Sequence, residues 1–516
     1  MTLLQWFIFF LVLQIVHYLG TWKLYEKAGR KSWEAGVPIY NAIVLMKIIN
    51  RPTWWTALLF VPIVNLIMFI VVWVETLRSF SKNTTKDTLL SVITLGLYIY
   101  YINYFENVAY IRDRSLVAAT KTGDTISSAL YAIVVATLVH TYVIQPFNIP
   151  SSSLEKTLLI GDFLFVSKYN YGARTPETAI ALPMVHDSIL FVGTKSYLSW
   201  PQLPSFRFPG LQEIKRNDIV VFNWPLDTVY KFHDPLQRHI DKPLDKRTNY
   251  VKRCVGVPGD NLSIKNGDVY IDNKKLIFPE RAKLQYSYTV VTDGSALDPK
   301  YITEDLQITD RILATGRSNE YLFTAVTEKS AERLRKNPFI KSIVKNNSTK
   351  TDPRMFPHNQ TWNQDNFGPI YIPKEGKTVL LNKEMLPFYR RLITEYEHNT
   401  LEEKGGQIFV NGKPAINYTF QQDYYWMMGD NHHNSEDSRF WGFVPYDHVV
   451  GKPVFIWWSI DPNLTWSSPI KKIRWNRLFS TVGGNGQPVS YFKYFLLLLA
   501  IWFGVDYFRQ KRIKND

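Results

Sequence analysis

Two short segments of the sequence hold the residue types that serine-based hydrolysis needs. The first contains the triple serine Ser151-Ser152-Ser153, and the second contains Lys252 within the run Tyr250 to Asp260. A serine hydroxyl becomes a good nucleophile only when a neighbouring group takes its proton. A lysine amine can be that group when burial disfavours its charged form and lowers its pKa. Burial of Lys252 beside one of these serines would therefore create a nucleophile and its general base.

Lys252 lies in a predicted β-strand that ends at the turn residues Pro258 and Gly259. Side chains alternate along a strand, so Lys252 and Arg253 are predicted to point to opposite faces, one toward the interior and one toward solvent. The competing interpretation is an ordinary solvated lysine on an edge strand. For the triple serine, the competing interpretation is a polar linker.

A third segment, Gly429 to Gly442, is dense in small polar and charged residues between aromatic ones. Asp437 and Arg439 could form an ion pair there, and the Ser435 hydroxyl could be aimed at a neighbour. The adjacent pair His432-His433 is a weak metal-ligand signal because no further ligands follow at regular spacing. A charged surface turn is the competing interpretation, and we predict neither a metal nor a cofactor.

The region around these segments has the pattern of a mainly β domain, with two helical stretches at about 328–336 and 386–404. Short apolar runs predict core strands, and Asn-Gly pairs predict hairpin turns. The strands are expected at Asp218–Phe222 and Val454–Trp458, and the turns at Asn266-Gly267 and Asn411-Gly412. No internal repeat is expected. The single cysteine, Cys254, excludes an intramolecular disulfide.

Five apolar runs lie outside this region, and we interpret each as a membrane-spanning helix. They are Leu3–Leu19, Trp54–Val74, Leu89–Phe105, Ile126–Ile144 and Tyr491–Phe508. A helix needs about 20 residues to cross the hydrocarbon core. The third run is the least apolar, and the fifth has a short uncharged centre. The first run lacks a basic start and a small-residue cleavage site, so we predict an uncleaved helix.

Membrane topology explains much of the net charge of +15. Cytoplasmic loops are enriched in Lys and Arg, and cations cluster in 20–53, after Phe105 and in the C-terminal tail. Five crossings then place the N-terminus outside, 145–487 outside and the C-terminus in the cytoplasm. The loop Glu75 to Thr88 would lie outside despite its three cations, Arg78, Lys82 and Lys86. No nucleic-acid partner is needed to account for the charge.

In this order, the chemistry-bearing segments resemble the sequence boxes of bacterial type I signal peptidases. The resemblance covers about 145–458, and its last two boxes are highly specific. The boxes are Ser151–Leu158, Asn217–Phe222, Tyr250–Asp260 and Gly429–Gly442. The N-terminal region, with Ala35–Asn41 and Pro62–Asn65, is similar to the extra multi-helix module of signal peptidases from Bacteroidetes-like bacteria.

The resemblance implies roles for the matched serines and the lysine. Ser153 would be the nucleophile by its spacing to Thr157, with Ser152 as the alternative. Lys252 would be the general base. The backbone N–H of Ser153 and the hydroxyl of Ser151 would form the oxyanion hole, where positioned donors meet the developing charge.

The resemblance also implies roles in the third segment, and the sequence departs from the family pattern at two places. Ser435 would orient the Lys252 amine. The residues that brace the loop would be Asp430, Asp437 and Arg439. Lys156 replaces a family proline, which loosens the backbone near the serines. His432-His433 replaces the family's Arg-Asp pair, which weakens any statement about the charge of that loop.

The implied activity is cleavage of signal peptides at the outer face of the cytoplasmic membrane. Ser153 follows Ile144 by nine positions, an extended reach of at most roughly 30 Å, which suits a substrate held in the bilayer. Implied partners are preproteins with Ala-x-Ala-type signals, the phospholipid membrane and the secretion translocon. The expected membrane parts are 1–125 with three spans, 126–144 as a further span, and 488–516 as the last span with a basic tail. Residues 145–487 are expected to form the extracytoplasmic catalytic domain, which is mainly β and built from signal-peptidase-like antiparallel sheets.

Three alternatives compete with this interpretation. A membrane scaffold with an impaired peptidase domain is compatible with the departures near Ser153. A Ser/His/Asp hydrolase would need a Gly-x-Ser-x-Gly turn, which the sequence lacks. A self-cleaving repressor with the same pair of residues would carry a DNA-binding helix pair instead of membrane segments.

Overall fold

A computed structural model describes residues 1–117, 120–230 and 238–515. The helices within these ranges are α1 Leu3–Lys27, α2 Tyr40–Ile48, α3 Trp55–Leu58, α4 Val64–Ser79, α5 Thr85–Ile93, α6 Tyr98–Phe105, α7 Lys121–Leu138, α8 Glu328–Arg335, α9 Leu386–Arg391, α10 Ser438–Trp441, α11 Pro469–Lys472 and α12 Phe492–Asn515. The chain divides into two compact units. One unit, called the membrane unit below, contains Met1–Val143, Arg174–Phe208 and Thr228–Arg247; the other, called the sheet unit, contains the remainder.

The prediction of five membrane-spanning helices is wrong. Among the described residues, two helices are long and apolar enough to cross a bilayer, α1 and the helix Lys121–Val143 that extends α7 by a π-helical turn. A third appears if α5 and α6, which meet at a bend of 118°, are counted as one broken span. Helix α12 carries Lys493, Asp506 and Arg509 around its apolar centre and does not qualify by composition.

The run Trp54–Val74 fails as a span because it is broken near its middle. It contains the short α3 and the start of α4, separated by Pro62 and by Ile63, whose φ is 70°. The Val64 N–H donates to the Pro62 carbonyl across this tight turn at 2.8 Å. Pro62 has no backbone N–H to donate to a helical hydrogen bond. Ile63 has a positive φ, which is unusual for a β-branched residue. The two residues therefore interrupt the helix.

The same turn occurs once more, at the start of α2. Ile39 has a φ of 66°, and the Tyr40 N–H donates to the Pro38 carbonyl at 2.8 Å. Both turns carry the sequence Val-Pro-Ile-x-Asn, at 37–41 and 61–65. The expectation that the chain has no internal repeat therefore missed this short one.

One buried carboxylate, Glu75 in α4, pairs with arginines from the three segments that were predicted to be basic loops. Arg51 Nε lies 2.8 Å and Arg78 Nη1 lies 3.4 Å from Glu75, and Arg114 also pairs with it. These loops were predicted to lie on opposite sides of the membrane. Because these three arginines meet at one side chain, the structure does not support placing the loop after Glu75 on the opposite side of the membrane from the other two basic loops.

The second unit is mainly β, as predicted, and the pairings between its strands are antiparallel. Its central sheet has the strand order β1-β2-β20-β3-β4-β18-β19, with β21 paired to β20; two four-stranded sheets follow the orders β11-β8-β10-β9 and β12-β5-β6-β7, and smaller ones are β13-β17 and β14-β15-β16. The strands are β1 Ile144–Asn148, β2 Asp162–Ser167, β3 Ile219–Asn223, β4 Asn249–Gly256, β5 Asn261–Lys265, β6 Asp268–Ile271, β7 Lys274–Lys275, β8 Gln285–Thr292, β9 Ile312–Ala314, β10 Glu320–Thr327, β11 Ile340–Lys345, β12 Phe367–Tyr371, β13 Thr378–Leu380, β14 Leu401–Lys404, β15 Gln407–Val410, β16 Lys413–Pro414, β17 Asn417–Thr419, β18 Tyr424–Met428, β19 Val444–Pro445, β20 Val449–Ser459 and β21 Ser480–Thr481.

Local predictions in this unit are largely confirmed. Both Asn-Gly pairs form hairpin turns, between β5 and β6 and between β15 and β16, with all four residues at positive φ. Strand β3 is buried along its whole length. Helix α8 matches the first predicted helical stretch, but the second stretch is helical only to Tyr396 and ends in strand β14. Tertiary pairing with β15 overrides its local helical pattern.

Candidate active site

The predicted nucleophile sits on a tight turn that the core holds in place. Ser153 lies in a 3-10 turn, Ser152–Leu154, between β1 and β2. Leu154 anchors the turn because its side chain is 2% exposed and packs with Leu158, Ile219 and Val221. The turn leaves Ser153 itself 8% exposed. The turn is thus fixed by Leu154 on its apolar side, and Ser153 lies on its opposite side.

Lys252 is brought to this serine by the central sheet. Strand β4 lies between β3 and β18, and Lys252 is opposite Val220 in the pairing register. The Lys252 Nζ donates to the Ser153 Oγ at 2.6 Å, and the lysine is only 3% exposed. Burial lowers the pKa of Lys252 to about 8, although the Asp437 carboxylate acts to raise it. The alternative of a solvated edge lysine is wrong for this residue.

Arg253 points to the opposite face from Lys252, but the prediction that one of the two cations faces solvent is wrong. Arg253 is 3% exposed and forms a two-pronged ion pair with Asp430, with Nε–Oδ1 and Nη2–Oδ2 distances of 2.7 and 2.6 Å. Asp430 also accepts a hydrogen bond from the Thr157 hydroxyl at 2.6 Å. Asp430 therefore ties the lysine strand to the segment that follows the serine.

The predicted pair Asp437–Arg439 is present and completely buried. Arg439 donates from Nε and Nη2 to the two carboxylate oxygens, each at 2.8 Å. Asp437 also accepts the backbone N–H groups of Gly429 and Arg439 and caps helix α10. Because both side chains have no exposed surface, loss of either would leave an uncompensated buried charge.

Ser435 is close to the serine turn without bonding to Lys252. A Cβ placed on Gly429 would lie 2.3 Å from the Ser435 Oγ and 2.6 Å from the Ser153 carbonyl oxygen, so only glycine fits between them. The Ser435 hydroxyl is buried and has no hydrogen-bond partner among the described residues. Ser151, the second oxyanion-hole candidate, is exposed on the surface.

Two asparagines that sequence reasoning missed hold the serine turn against the loop. The Asn431 backbone N–H donates to the Ser153 carbonyl at 3.0 Å, and its side chain donates to the Ser152 carbonyl at 3.2 Å. The Asn434 side chain donates to the Ser152 hydroxyl at 2.8 Å. Their position in the polar loop was the only available signal. The Ser152 hydroxyl is thus hydrogen-bonded to Asn434, and Ser153 is the serine that is hydrogen-bonded to Lys252.

The second lysine near the site has its own partner. Lys156, at the position where the family has proline, has a φ of 69° and donates from Nζ to the Thr309 hydroxyl at 2.7 Å. Burial lowers the pKa of Lys156, and the Glu155 carboxylate opposes that shift. Its amine is therefore held by a residue from a different part of the chain.

The histidine pair joins Asp365 in a compact cluster that has the residue types of a metal site. His432 and His433 place Nε2 at 3.2 and 3.0 Å from the Asp365 Oδ1. The His433 Nδ1, however, accepts the Ser287 N–H at 3.1 Å. A neutral imidazole that accepts at Nδ1 carries its proton on Nε2, so that nitrogen donates to Asp365 and has no lone pair for a metal. The cluster is thus a hydrogen-bonded network.

A buried lysine in hydrogen-bond contact with a serine hydroxyl, in a chain with helices long and apolar enough to cross a membrane, is the arrangement typical of a membrane-anchored serine endopeptidase with a Ser/Lys pair. A family model described as "Signal peptidase, peptidase S26" matches residues 122–322 and 372–458, more than half of the chain. The chain belongs to this family. A second model, described as a family of unknown function (DUF5684), matches residues 33–113.

Curated relatives agree with the family model. Signal peptidase I of Buchnera aphidicola subsp. Baizongia pistaciae is 24% identical over 65% of this chain and 76% of its own length. Signal peptidase I of Helicobacter pylori is 24% identical over 69% of this chain and 92% of its own. Signal peptidase I of Haemophilus influenzae is 24% identical over 66% of this chain and 71% of its own length. Family membership makes the chain a serine endopeptidase that processes signal peptides, and it does not favour the impaired scaffold.

Proposed function

We propose that the chain cleaves signal peptides with Ser153 as nucleophile and Lys252 as general base. The observation that carries this proposal is the 2.6 Å contact between the two side chains in a buried setting. Neutral Lys252 takes the Ser153 proton as Oγ attacks the scissile carbonyl, and it returns that proton to the leaving amine. Water activated by the same amine then hydrolyses the acyl-enzyme.

The oxyanion of the tetrahedral intermediate is assigned to the Ser153 N–H and the Ser151 hydroxyl. N–H groups in the first turn of a helix have no partner within it, which supports the first assignment. Exposure of Ser151 leaves its hydroxyl free to turn toward a bound substrate. Ser435 is assigned to orient the Lys252 amine, and Asp430, Asp437 and Arg439 to brace the loop. The buried, unpartnered Ser435 hydroxyl supports its role.

Preproteins whose signals end in Ala-x-Ala are the proposed substrates, delivered at the membrane by the secretion translocon. Ser153 follows the end of the second span, Val143, by ten positions. A fully extended chain of that length reaches at most roughly 35 Å. The nucleophile therefore stays close to the lipid surface, where the end of a membrane-held signal helix emerges.

The catalytic unit is proposed to lie outside the cytoplasmic membrane, with the N-terminus on the same side. A C-terminus in the cytoplasm requires that α12 also crosses the membrane, despite its charged residues Lys493, Asp506 and Arg509. In the membrane unit, Trp6 near the start of α1 donates from Nε1 to the Gln202 carbonyl at 2.9 Å. Tyr142 near the end of α7 packs edge-on against Phe208. The start of one span and the end of the other thus meet the same segment, 174–208. The basic loops gathered at Glu75 lie at the other end and fit the cytoplasmic side.

Cysteine labelling tests this topology. The native Cys254 is fully buried, so a membrane-impermeant maleimide should react with an introduced cysteine alone. Lys86→Cys should be labelled only after the cytoplasmic side is opened, and Ser151→Cys should be labelled in intact spheroplasts. Labelling of Lys86→Cys in intact spheroplasts would reject this placement of the loop.

Cleavage of a purified preprotein tests the proposed pair. The wild type should release a signal peptide ending in Ala-x-Ala, while Ser153→Ala and Lys252→Ala should both be inactive. Lys156→Ala is the matched control because this lysine is also near the serine but bonds Thr309. It should retain most activity. Persistent cleavage by either of the first two variants would rule out the Ser/Lys mechanism.

A further inference from the structure

The loop that packs against the active-site serine is braced by a segment that the family model leaves unmatched. The model does not cover residues 323–371, and Asp365 lies in that interval. Asp365 is 1% exposed, and its carboxylate contacts both His432 and His433 at about 3 Å. The neighbouring Gln364 carbonyl accepts a hydrogen bond from the Arg439 guanidinium at 3.3 Å, and the same guanidinium donates to the His432 Nε2 at 3.0 Å.

The segment around Asp365 is itself held rigidly. The Ser348 N–H donates to the Asp365 Oδ2 at 2.7 Å, and the Asp365 N–H donates to the Asn363 side chain at 3.0 Å. The Asp365 carbonyl accepts the Gly267 N–H at 2.9 Å, at the hairpin turn between β5 and β6. These hydrogen bonds fix the position of Asp365, so its carboxylate can hold the loop that contains His432 and His433.

The sequence of the loop explains why it needs such a point. Where the family has an Arg-Asp pair, this chain has His432-His433, so the loop lacks a carboxylate there. Asp365 supplies one from another part of the chain. Burial alone would raise the pKa of Asp365, but the hydrogen bonds from the His433 ring and the Ser348 N–H hold it well below its usual range. The charged groups that face Asp365 are Arg439, reached through His432, and Lys345.

We infer that Asp365 is a positioning residue for the Ser153–Lys252 pair, acting through the histidines and Arg439 to hold the loop against the turn that carries Ser153. Arg439 links the cluster to Asp437, which in turn accepts the Gly429 N–H beside Ser153. If this anchor is lost, the loop loosens and water reaches the amine. Hydration favours the charged form of Lys252 and so raises its pKa toward the ordinary lysine value. This inference rests on the proposed roles of Ser153 and Lys252.

The test is the pH dependence of preprotein cleavage by the full-length enzyme, wild type against Asp365→Asn, Asp365→Glu and Asp352→Asn. Asp365→Asn should lower kcat roughly 10- to 100-fold with little change in KM, since misplacement of reacting groups has effects of this size. It should also move the acidic limb of the profile to higher pH. Asp365→Glu should restore part of the wild-type kcat and part of the wild-type position of the acidic limb. Asp352 lies in the same segment but pairs with the exposed Arg354, and its variant should behave as the wild type.

A wild-type pH profile and kcat for Asp365→Asn, in protein that melts at the wild-type temperature, would overturn the inference. Should Asp365→Asn not fold, His433→Gln is the second variant, because it removes one of the two contacts to the carboxylate. It should shift the acidic limb in the same direction by a smaller amount, and an unmoved limb would equally reject the inference. Cleavage by Ser153→Ala would instead reject the proposed mechanism, so the two failures are distinguishable.

Discussion

Two buried charged residues, Lys252 in the sheet unit and Glu75 in the membrane unit, are used in opposite ways. In the sheet unit, Lys252 is buried, has no ion-pair partner within the described part of the chain and is held beside a serine hydroxyl. In the membrane unit, Glu75 is buried and surrounded by Arg51, Arg78 and Arg114. An unpaired buried charge is destabilising and shifts its pKa, whereas a paired one is a structural tie. The difference separates groups held for chemistry from groups held for architecture.

Removal of the unpaired charge gives the largest effect. Lys252→Met should reduce cleavage by at least about 10³-fold, because the general base is lost. The same change should raise the free energy of unfolding. The pKa of Lys252 is lower in the folded protein than in the unfolded chain, so its burial is destabilising below about pH 8, and the penalty fades as pH rises toward the unfolded value.

Thermal unfolding at pH 7 checks the expected rise in the free energy of unfolding. The difference between the folded and unfolded pKa of Lys252 corresponds to about 3 kcal/mol. Ser153→Ala is the control, since it removes activity but leaves the charge in place. A lower melting temperature for Lys252→Met than for Ser153→Ala would mean that the lysine contributes to stability.

Removal of one member of a paired charge in the sheet unit should act mainly on folding. Arg439→Ala leaves Asp437 buried without its cation, which costs about 3–5 kcal/mol. Denaturant unfolding of the purified protein measures this change. Arg354→Ala is the matched control, because its pair with Asp352 is exposed and contributes about 0–1 kcal/mol. Equal stability of the two variants would contradict the structural role of Asp437–Arg439.

The smallest effect on catalysis is expected from the membrane unit. Glu75→Gln leaves three arginines without their shared carboxylate, so the melting temperature should fall by several degrees, as for a loss of about 2 kcal/mol. The kcat/KM of the folded enzyme should stay within about twofold of the wild-type value. Loss of cleavage at an unchanged melting temperature would show that this unit takes part in catalysis.

The two units also differ in how far their sequences predict their structures. Around Ser153 and Lys252 the residue types are tied to a reaction, and alternation along β4 places the lysine and Arg253 on opposite faces. In the membrane unit, apolar content alone did not reveal that the run 54–74 is broken into two helices. Pro62, next to the turn at Ile63, was the signal for that break, and the three cations after Glu75 were a signal against placing that loop outside.

Other features depended on distant parts of the chain and left no local signal. Asp365 reaches His433 across 68 positions, and Asn431 reaches Ser152 across 279. The burial of Arg253 follows from its pairing with Asp430, which only the completed sheet brings within reach. Spacing within one segment cannot reveal such partners, because the fold and not the local sequence brings them together.

The pH dependence of kcat/KM for preprotein cleavage tests the central claim most directly. Free Lys252 must lose its proton before it can accept one from Ser153, so activity should rise tenfold per pH unit at low pH and reach half its plateau near pH 8, the value to which burial lowers the pKa of this lysine. A midpoint near 10, the ordinary value for a solvated lysine, or a profile that does not change between pH 6 and 9, would contradict the proposal that a buried neutral amine activates the serine.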